Sequence, residues 1–325
     1  MATAMIMHEA GGPQVLRPET VTVGEPGPGQ VRLKQTAIGV NFHDIYVRSG
    51  LYRTLTLPGI PGLEAAGVVE AVGEGVTAFA AGDRVAYTSG NYGAYADQRL
   101  IDAGRLVRLP DDIDDVLVAG MMVRGLTARI LLTDVFPVRE GSVILVQAAA
   151  GGVGQLLCQW ARHLGATVIG TVGSEEKAAL ARAHGCDHTV LYTSESFKDR
   201  VKEITGGKGV PVVYDSIGKS TFDDSLDCLS PRGLMVSFGN ASGPVDAFNL
   251  GILSQKGSLY VTRPTLVTYT AARDDLVASA NALFDVVQKG IVKIEVNQTY
   301  PLADAVQAHK DLEGRKTTGS TVLLP

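Results

Sequence analysis

The fold of this 325-residue chain is limited most by a short apolar run. This run leads into a glycine-rich turn and then into a helical pattern. The run covers 142–147, the turn 148–154 reads Ala-Ala-Ala-Gly-Gly-Val-Gly, and the helical pattern covers 155–164. Residues 166–172 are the next predicted strand, so the order is that of a βαβ unit. Glycines let backbone N–H groups approach a pyrophosphate, and a helix N-terminus favours an anion. The pattern predicts a nucleotide-binding α/β domain, although Ala149 fills the first glycine position of the usual Gly-x-Gly-x-x-Gly.

The composition describes a folded chain that is long enough for two domains. Hydrophobic residues make up 45% and charged residues 19%, which excludes a disordered protein. The net charge of −5 argues against a nucleic-acid-binding surface, so we expect no nucleic acid partner. No apolar run could span a bilayer, no signal-peptide pattern is visible, and the three cysteines are scattered. We therefore expect a cytoplasmic protein without a membrane partner.

Two kinds of architecture follow each other along the chain. Up to about residue 120, short apolar or alternating runs between turn clusters predict a β-rich segment. From Arg124, strands alternate with helices, which is typical of a parallel sheet. A long helix, 273–289, precedes a tail of short strands and turns, 291–325. The strands predicted for the parallel sheet are 142–147, 166–172, 188–191, 211–215, 233–238 and 258–262, and the helices between them include 175–184 and 195–205.

The end of the second predicted strand indicates which dinucleotide binds. NAD-selective folds usually carry an acidic residue there for the ribose 2′-hydroxyl. Here the strand ends in Gly173-Ser174, and Lys177 follows one turn later. This favours NADP, because Gly173 leaves room for the 2′-phosphate, Ser174 can donate a hydrogen bond to it and Lys177 supplies a positive charge. Tyr192, after the third strand, could close over the same phosphate. The alternative is that Lys177 is a solvated helix residue and Tyr192 a surface aromatic, and two glutamates beside Ser174 weaken the positive potential.

A set of short motifs is spread along nearly the whole chain, at 37–44, 48–52, 64–69, 81–85, 148–154, 170–173, 213–216, 233–240, 255–259 and 262–264. Together they resemble the quinone oxidoreductases related to zeta-crystallin, within the medium-chain dehydrogenase/reductase superfamily. The resemblance implies an α/β protein with a GroES-like, β-rich catalytic domain, residues 1–123, that is completed by residues 291–325. A Rossmann NADPH-binding domain with a doubly wound parallel sheet, residues 124–290, would lie between these segments.

The resemblance also bears on the metal content. Zinc alcohol dehydrogenases of this superfamily bind their catalytic zinc through a cysteine and through a histidine in Gly-His-Glu. This chain has Asn41 and Leu63 at those positions and lacks the four-cysteine lobe of the structural zinc, so we expect no metal. Without such a Lewis acid, a strong hydride acceptor such as a quinone or an activated enone is favoured over an alcohol.

The activity that the resemblance implies is hydride transfer from NADPH to a quinone, in a homodimer formed through the edge strand 258–262. Two alternatives stay open. An alkenal or enone reductase would share the scaffold and differ in the acceptor atom. Relatives of zeta-crystallin also serve as structural crystallins or bind AU-rich RNA, which the negative charge disfavours here.

The resemblance places Asn41 and Tyr46 at the nicotinamide as the catalytic residues, with Phe42 beside them. Asn41 could bind the ribose or a substrate oxygen, and aromatic packing alone is an equal alternative for Tyr46. His43 lies in the same segment, and a structural role is favoured for it because no proton relay is apparent. The other predicted cofactor contacts are Arg129, Gly151, Gly152, Val153, Gly173, Ser174, Lys177, Tyr192, Ser216, Ile217, Phe238, Gly239, Asn240, Arg263, Pro264, Thr265 and Arg315.

Overall fold

The computed structural model describes residues 1–88 and 91–325 of the chain. They divide into two compact units, each with its own buried apolar core. Within these residues, no helix combines the length and the apolar character that crossing a bilayer requires.

The strands are β1 (Ala2–Ile6), β2 (Arg17–Val21), β3 (Gln30–Val40), β4 (Glu64–Val72), β5 (Arg84–Thr88), β6 (Gln98–Asp102), β7 (Leu106–Arg108), β8 (Val143–Val146), β9 (Thr167–Val172), β10 (His188–Leu191), β11 (Val210–Asp215), β12 (Leu229–Ser237), β13 (Tyr260–Thr262), β14 (Val296–Pro301) and β15 (Ser320–Leu324). The helices are α1 (Phe42–Arg48), α2 (Asp115–Ala119), α3 (Met122–Ile130), α4 (Gly152–His163), α5 (Glu175–Ala183), α6 (Phe197–Ile204), α7 (Phe222–Asp227), α8 (Gly251–Gln255), α9 (Leu266–Tyr269), α10 (Arg273–Gln288) and α11 (Ala305–Glu313).

The first unit combines Met1–Leu126, Tyr269–Gln288 and Ile294–Pro325. In its described residues, seven strands form one sheet in the order β14-β15-β3-β4-β5-β7, with β6 also paired to β3. The sequence of β3 explains its place in the centre, because Val31 and Leu33 are buried in the core while the alternate residues Arg32 and Lys34 lie on the more exposed face. Since β15 pairs with β3, the C-terminal tail completes this sheet.

The tail contains a helix that the sequence analysis did not predict. Strands and turns were expected throughout 291–325, but α11 occupies its middle. Its buried residues, Ala305, Ala308, His309 and Leu312, follow the i, i+3, i+4, i+7 spacing of an amphipathic helix. The expectation of an all-β tail was therefore wrong, and the helical period was already present in the sequence.

Helix α10 packs in the first unit, whereas the sequence interpretation placed residues up to 290 in the Rossmann domain. Arg273 donates from Nη1 to the carbonyl oxygens of Gly104 and Leu106, both at 3.0 Å. Gln288, at the other end of α10, donates to Asp112 Oδ1 at 2.8 Å. Contacts at both ends of the helix thus join it to the strands and turns of this unit.

A chain of polar side chains, all buried except Glu313, connects α1 with α11. Arg48 donates from Nη1 to His309 Nδ1 at 3.2 Å and from Nη2 to Glu313 Oε1 at 2.6 Å. His309 Nε2 lies 2.8 Å from the Tyr95 hydroxyl, which donates to Asp44 Oδ2 at 3.2 Å. Because a guanidinium can only donate, His309 Nδ1 must accept, and the ring is neutral with its proton on Nε2. Burial, with Arg48 adjacent, lowers the pKa of His309 to about 3.

His309→Gln should change how stability depends on acid. The folded pKa of about 3 lies below the ordinary value of 6.5, so between these pH values the folded state binds fewer protons than the unfolded chain. The contribution of His309 is therefore complete above pH 6.5 and is lost as the pH falls. At about 1.4 kcal/mol per pH unit, the advantage of the native protein over His309→Gln should shrink by about 2 kcal/mol from pH 6.5 to pH 5.

Urea unfolding of both proteins at the two pH values measures this difference. His8→Gln, at a histidine whose side chain is exposed, is the matched control. An advantage of the native protein that does not vary with pH would contradict the assignment of a neutral, buried His309.

The second unit combines Thr127–Thr268 with Lys289–Lys293, and all of these residues are described. Its six strands form a parallel sheet in the order β10-β9-β8-β11-β12-β13. Counted along the chain this is the order 3-2-1-4-5-6 of a doubly wound Rossmann sheet, which confirms the predicted fold class. The order reverses between β8 and β11, and open sheets of this type bind ligands at the carboxyl ends of the strands beside such a reversal.

The edge strand β13 is shorter than predicted. It begins at Tyr260, two residues later than the predicted start. Ser258 has a φ of +57°, in the left-handed region, and therefore cannot continue an extended strand. The other predicted strands of this sheet are present with small shifts, the largest being the earlier start of β12 at Leu229.

Candidate functional site

The glycine turn joins β8 to α4 and leaves hydrogen-bond donors free at the start of the helix. The N-cap residue of α4 is Gly151, which has no side chain to cap the helix. Its backbone N–H donates to the carbonyl oxygen of Ala148 at 2.8 Å. Within the described chain, the N–H groups of residues 152–154 meet no acceptor. Three free donors together with the positive end of the helix dipole fit the pyrophosphate of a dinucleotide.

The tip of β9 carries the residues predicted to select the cofactor. Ser174 caps α5, where its Oγ accepts from the backbone N–H of Lys177 at 3.3 Å, so its own hydrogen remains available. The Lys177 side chain is half-buried, and its ammonium group has no carboxylate partner in the part of the chain that the structure describes. Tyr192 is 51% exposed and lies against Gly173, where an added Cβ would stand 2.6 Å from the phenol oxygen. A hydroxyl, an ammonium and a phenol are thus available here, and Gly173 leaves room for Tyr192.

Hydrogen bonds stabilise the ends of β11, β12 and β13 at the same carboxyl edge of the sheet. Asp215 closes β11 and accepts from the backbone N–H of Ile217 at 2.7 Å. Arg263, after β13, donates to the carbonyl oxygens of Ser237 at 3.0 Å and Gly239 at 2.9 Å, which joins it to the end of β12. The predicted cofactor contacts that the fold brings to this carboxyl edge are Gly151, Gly152, Val153, Gly173, Ser174, Lys177, Tyr192, Ser216, Ile217, Phe238, Gly239, Asn240, Arg263, Pro264 and Thr265.

Two predicted arginines do not lie at these strand ends. Arg129 is on α3, and its guanidinium forms an ion pair with Asp134. Arg315 belongs to the first unit, where it is exposed just after α11 with a φ of +56°. A cofactor contact from Arg129 would compete with its internal ion pair.

Asn41 starts α1 in the first unit and is only 5% exposed. Its Nδ2 donates to Glu64 Oε1 at 2.6 Å, and its Oδ1 accepts from Arg124 Nε at 3.3 Å. Its backbone N–H donates to Asp44 Oδ2 at 2.8 Å. Burial raises the pKa of both Glu64 and Asp44 to about 7. On the Asn41 side chain, one amide N–H and one lone pair of Oδ1 are left for a ligand.

Phe42 and Tyr46 lie one turn apart on α1 and belong to an aromatic cluster. Their ring centroids are 6.3 Å apart, and Tyr46 packs edge-on against Tyr52 at 5.1 Å. His43 Nε2 lies 3.0 Å from the Tyr92 hydroxyl, and burial lowers the pKa of His43 to about 4, so its ring is neutral at pH 7. The Phe42 ring is 39% exposed and offers a flat apolar surface.

Sequence reasoning missed polar residues that hold these sites in place. Arg124, at the start of α3, donates to the carbonyl oxygen of Val40 at 2.9 Å and to Ser320 Oγ at 2.6 Å. Gln147, directly after β8, is buried and bonded to Thr171. In both cases the signal was a polar residue inside or directly after an apolar run, where an unpaired polar group would be costly.

Comparisons with known proteins agree with this architecture. Residues 27–111 match the family model of the GroES-like domain of alcohol dehydrogenases, and residues 152–276 match that of zinc-binding dehydrogenases. The chain is 55% identical to a quinone oxidoreductase of Pseudomonas aeruginosa, over all of both proteins. It is 50% identical to a 2-haloacrylate reductase of a Burkholderia species, over all of this chain and 99% of that protein.

A solved structure shows the same similarity. The structure of Escherichia coli quinone oxidoreductase complexed with NADPH matches with a TM-score of 0.97 at 47% identity, over 99% of this chain and 100% of that one. Identity at this level over whole chains is far above what a shared fold alone requires. The chain therefore belongs to the quinone oxidoreductase family of the medium-chain dehydrogenases/reductases.

Proposed function

We propose that this protein is an NADPH-dependent quinone oxidoreductase that transfers a hydride from NADPH to a quinone. The observation that carries the proposal is the tip of β9, which has no carboxylate and instead presents Ser174, Lys177 and Tyr192. The Escherichia coli relative, crystallised with NADPH, supports the cofactor. Relatives named quinone oxidoreductases, at 47–55% identity over the whole chain, support the acceptor.

Each part of the second unit's carboxyl edge has a role in this proposal. The free N–H groups of residues 152–154 bind the pyrophosphate. Ser174, Lys177 and Tyr192 bind the 2′-phosphate by two hydroxyl groups and one positive charge. Residues 216–217, 238–240 and 263–265, which follow β11, β12 and β13, hold the rest of the cofactor. When bound, NADPH supplies the hydride.

Asn41, Phe42 and Tyr46, at the start of α1, are the residues proposed to contact the quinone. The exposed face of Phe42 suits stacking with a planar ring, and Tyr46 is held beside it by Tyr52. The remaining amide N–H of Asn41 can donate to a quinone oxygen. Such a donor stabilises the negative charge that develops on that oxygen as the hydride arrives, because it is already oriented by Glu64 and Arg124.

A second candidate is reduction of an activated carbon–carbon double bond. The specific observation in its favour is the 50% identity to a 2-haloacrylate reductase over the whole chain. In this candidate too, the proposed NADPH supplies the hydride, and a carbonyl or carboxylate oxygen of the acceptor takes up negative charge. The two candidates therefore share the cofactor residues and differ in the acceptor.

Parallel assays of NADPH consumption with a benzoquinone and with 2-chloroacrylate separate the two candidates. We expect kcat/KM for the quinone to exceed that for 2-chloroacrylate by about tenfold or more, which is a difference of about 1.4 kcal/mol between the transition states. The reverse order would favour the double-bond reductase. Consumption with neither acceptor would contradict both.

We further propose that the protein is a homodimer. Strand β13 lies at the edge of the parallel sheet and pairs with β12 on its inner side. Its first residue, Tyr260, is 61% exposed. Such an edge leaves backbone groups unpaired, and a second copy across a two-fold axis can cover it.

Light scattering at micromolar concentration should give the mass of two 34.2 kDa chains. Tyr260→Arg should shift the mass towards that of the monomer, because two like charges would meet near the two-fold axis. Val72→Arg, a similar change at an exposed apolar residue of the first unit, is the matched control. A native protein that is monomeric under these conditions would contradict the proposal.

We also propose a cytoplasmic location. The chain has three cysteines, Cys158, Cys186 and Cys228, and each is a buried free thiol. Unpaired thiols suit a reducing compartment. Fractionation of the host cells, with NADPH-dependent quinone reduction as the readout, tests this location.

A further inference from the structure

A chain of buried hydrogen bonds runs beneath the carboxyl edge of the parallel sheet in the second unit. Its members are Thr171 on β9, Gln147 after β8, Ser225 on α7 and Asp215 on β11, and each is at most 2% exposed. Thr171 Oγ1 donates to Gln147 Oε1 at 2.6 Å, and Gln147 Nε2 donates to Ser225 Oγ at 3.0 Å. Ser225 Oγ donates to Asp215 Oδ2 at 3.2 Å.

The two ends of this chain reach two segments that are predicted to bind the cofactor. At one end, the backbone N–H of Ala148, the first residue of the glycine turn, donates to Thr171 Oγ1 at 3.2 Å. Ala148 has a φ of +54°, an uncommon conformation for a residue with a side chain, so this bond supports a strained position. At the other end, Asp215 Oδ1 accepts from the N–H groups of Ile217 at 2.7 Å and Gly218 at 3.0 Å.

Every hydrogen bond in the chain has a single possible direction. Since the Ala148 N–H donates to Thr171, the threonine hydroxyl is free to donate onward to Gln147 Oε1. The amide of Gln147 must then turn Nε2 towards Ser225, whose hydrogen goes to the carboxylate of Asp215. No member can rotate without leaving a buried neighbour unpaired, which makes the chain stiff.

We propose that this chain is a positioning device for the dinucleotide, with Thr171 and Gln147 as positioning residues. It holds the glycine turn and the 216–218 loop in one relative arrangement before the cofactor binds. The inference rests on the proposed function, because it assumes that both segments contact NADPH. Neither residue is at the 2′-phosphate position, so their loss should affect NADPH and NADH alike.

Thr171→Val tests the proposal, since it keeps the shape of the side chain and removes the hydroxyl. The Ala148 N–H and Gln147 Oε1 are then left without their partner. We expect the Kd of NADPH and that of NADH each to rise about tenfold, measured by fluorescence titration of the full-length protein. Thr171→Ser, which keeps the hydroxyl, should stay within about twofold of the native Kd values.

Two further variants test whether the bonds act as one chain. Gln147→Leu and Ser225→Ala break it at its middle and its far end, and each should weaken both cofactors in the same direction. The double variant Thr171→Val with Gln147→Leu should bind each cofactor no more weakly than the weaker-binding single variant. Either substitution alone already interrupts the hydrogen-bond chain, so the two effects should not add. If Thr171→Val does not fold, Ser225→Ala provides the same comparison.

Thr205→Val is the matched control in the same unit. Its hydroxyl also accepts from a backbone N–H, that of Gly209 at 3.0 Å, and donates to the carbonyl oxygen of Val201 at 2.7 Å. This variant should lower the Tm and leave both Kd values unchanged.

Several results would overturn the inference. One is a Thr171→Val protein whose Tm falls while both Kd values stay within about twofold of the native ones. Another is a loss of affinity for NADPH alone. A native protein that binds neither dinucleotide would overturn the proposed function and this inference together. If the native protein binds NADPH, a negative result with the variants counts against this inference alone.

Discussion

Lys177→Ala should weaken NADPH binding by about ten- to a hundredfold and leave NADH binding nearly unchanged. The side chain lies in the first turn of α5, beside the tip of β9, and its ammonium group has no carboxylate partner among the described residues. A charge-assisted hydrogen bond is worth about 1.5–3 kcal/mol, and about 1.4 kcal/mol changes affinity tenfold. NADH lacks the 2′-phosphate that this bond would bind.

Related variants sharpen the test of Lys177. Lys177→Glu should bind NADPH more weakly still, because repulsion is added to the loss of attraction. Tyr192→Phe should cause a smaller, NADPH-selective loss if its hydroxyl meets the phosphate. Lys198→Ala, at a lysine of the same unit that is paired with Asp224 and Asp227, is the matched control.

Dissociation constants of both cofactors, titrated by fluorescence at one salt concentration, provide the measurement. Equal weakening of NADPH and NADH by Lys177→Ala would mean that the residue supports the fold. A native preference for NADH would overturn the cofactor assignment.

Arg124→Met should lower the free energy of unfolding by about 3–5 kcal/mol, the range for a buried charged network that loses one partner. The buried guanidinium donates to Asn41 Oδ1, Val40 O, Gly319 O and Ser320 Oγ, and so joins the end of β3 to the tail. It also favours the charged forms of Glu64 and Asp44, whose pKa values burial raises to about 7. Without it, neither buried carboxyl group has another stabilising cation beside it among residues 1–88 and 91–325.

The loss should depend on pH in a defined direction. Removal of Arg124 raises the pKa of the two carboxyl groups further above their unfolded values, so the folded variant is penalised where the groups must be charged. The difference between native protein and variant should therefore be larger at pH 8 than at about pH 6, where protonation relieves the repulsion.

Urea unfolding at the two pH values measures this effect, with Arg108→Met as the control. Arg108 pairs with Asp83 at the surface, where such ion pairs contribute little. If Arg124→Met costs no more than the control, the guanidinium does not hold the first unit together.

Much of the second unit was predictable because its signals are local. Strand, turn and helix follow one another within 142–172, and their apolar periods and turn residues can be recognised without knowing which strands are neighbours. The tail was harder, because α11 is short and lies between two strands. Its apolar period was present in the sequence, but the partner of its buried His309 is the distant Arg48, which no local pattern reveals.

Ala149, which replaces the first glycine of the motif, is a feature that the neighbouring sequence alone does not explain. An added Cβ at Gly170 on β9 would lie 2.5 Å from the methyl carbon of Ala149. The missing glycine of the turn is therefore compensated by a glycine on the neighbouring strand. Only the pairing of β8 with β9 makes that compensation visible.

The sequence by itself determined the nucleotide-binding unit, the β-rich segment before it and the missing carboxylate at the tip of β9, since these depend on residues close together in the chain. Only the tertiary structure decided the partners of Asn41, Arg124 and Thr171. Asn41 bonds to Glu64 across 23 positions, Thr171 to Gln147 across 24, and Arg124 to Ser320 across 196. A buried polar side chain must find a partner, but the fold alone determines which distant group is within reach.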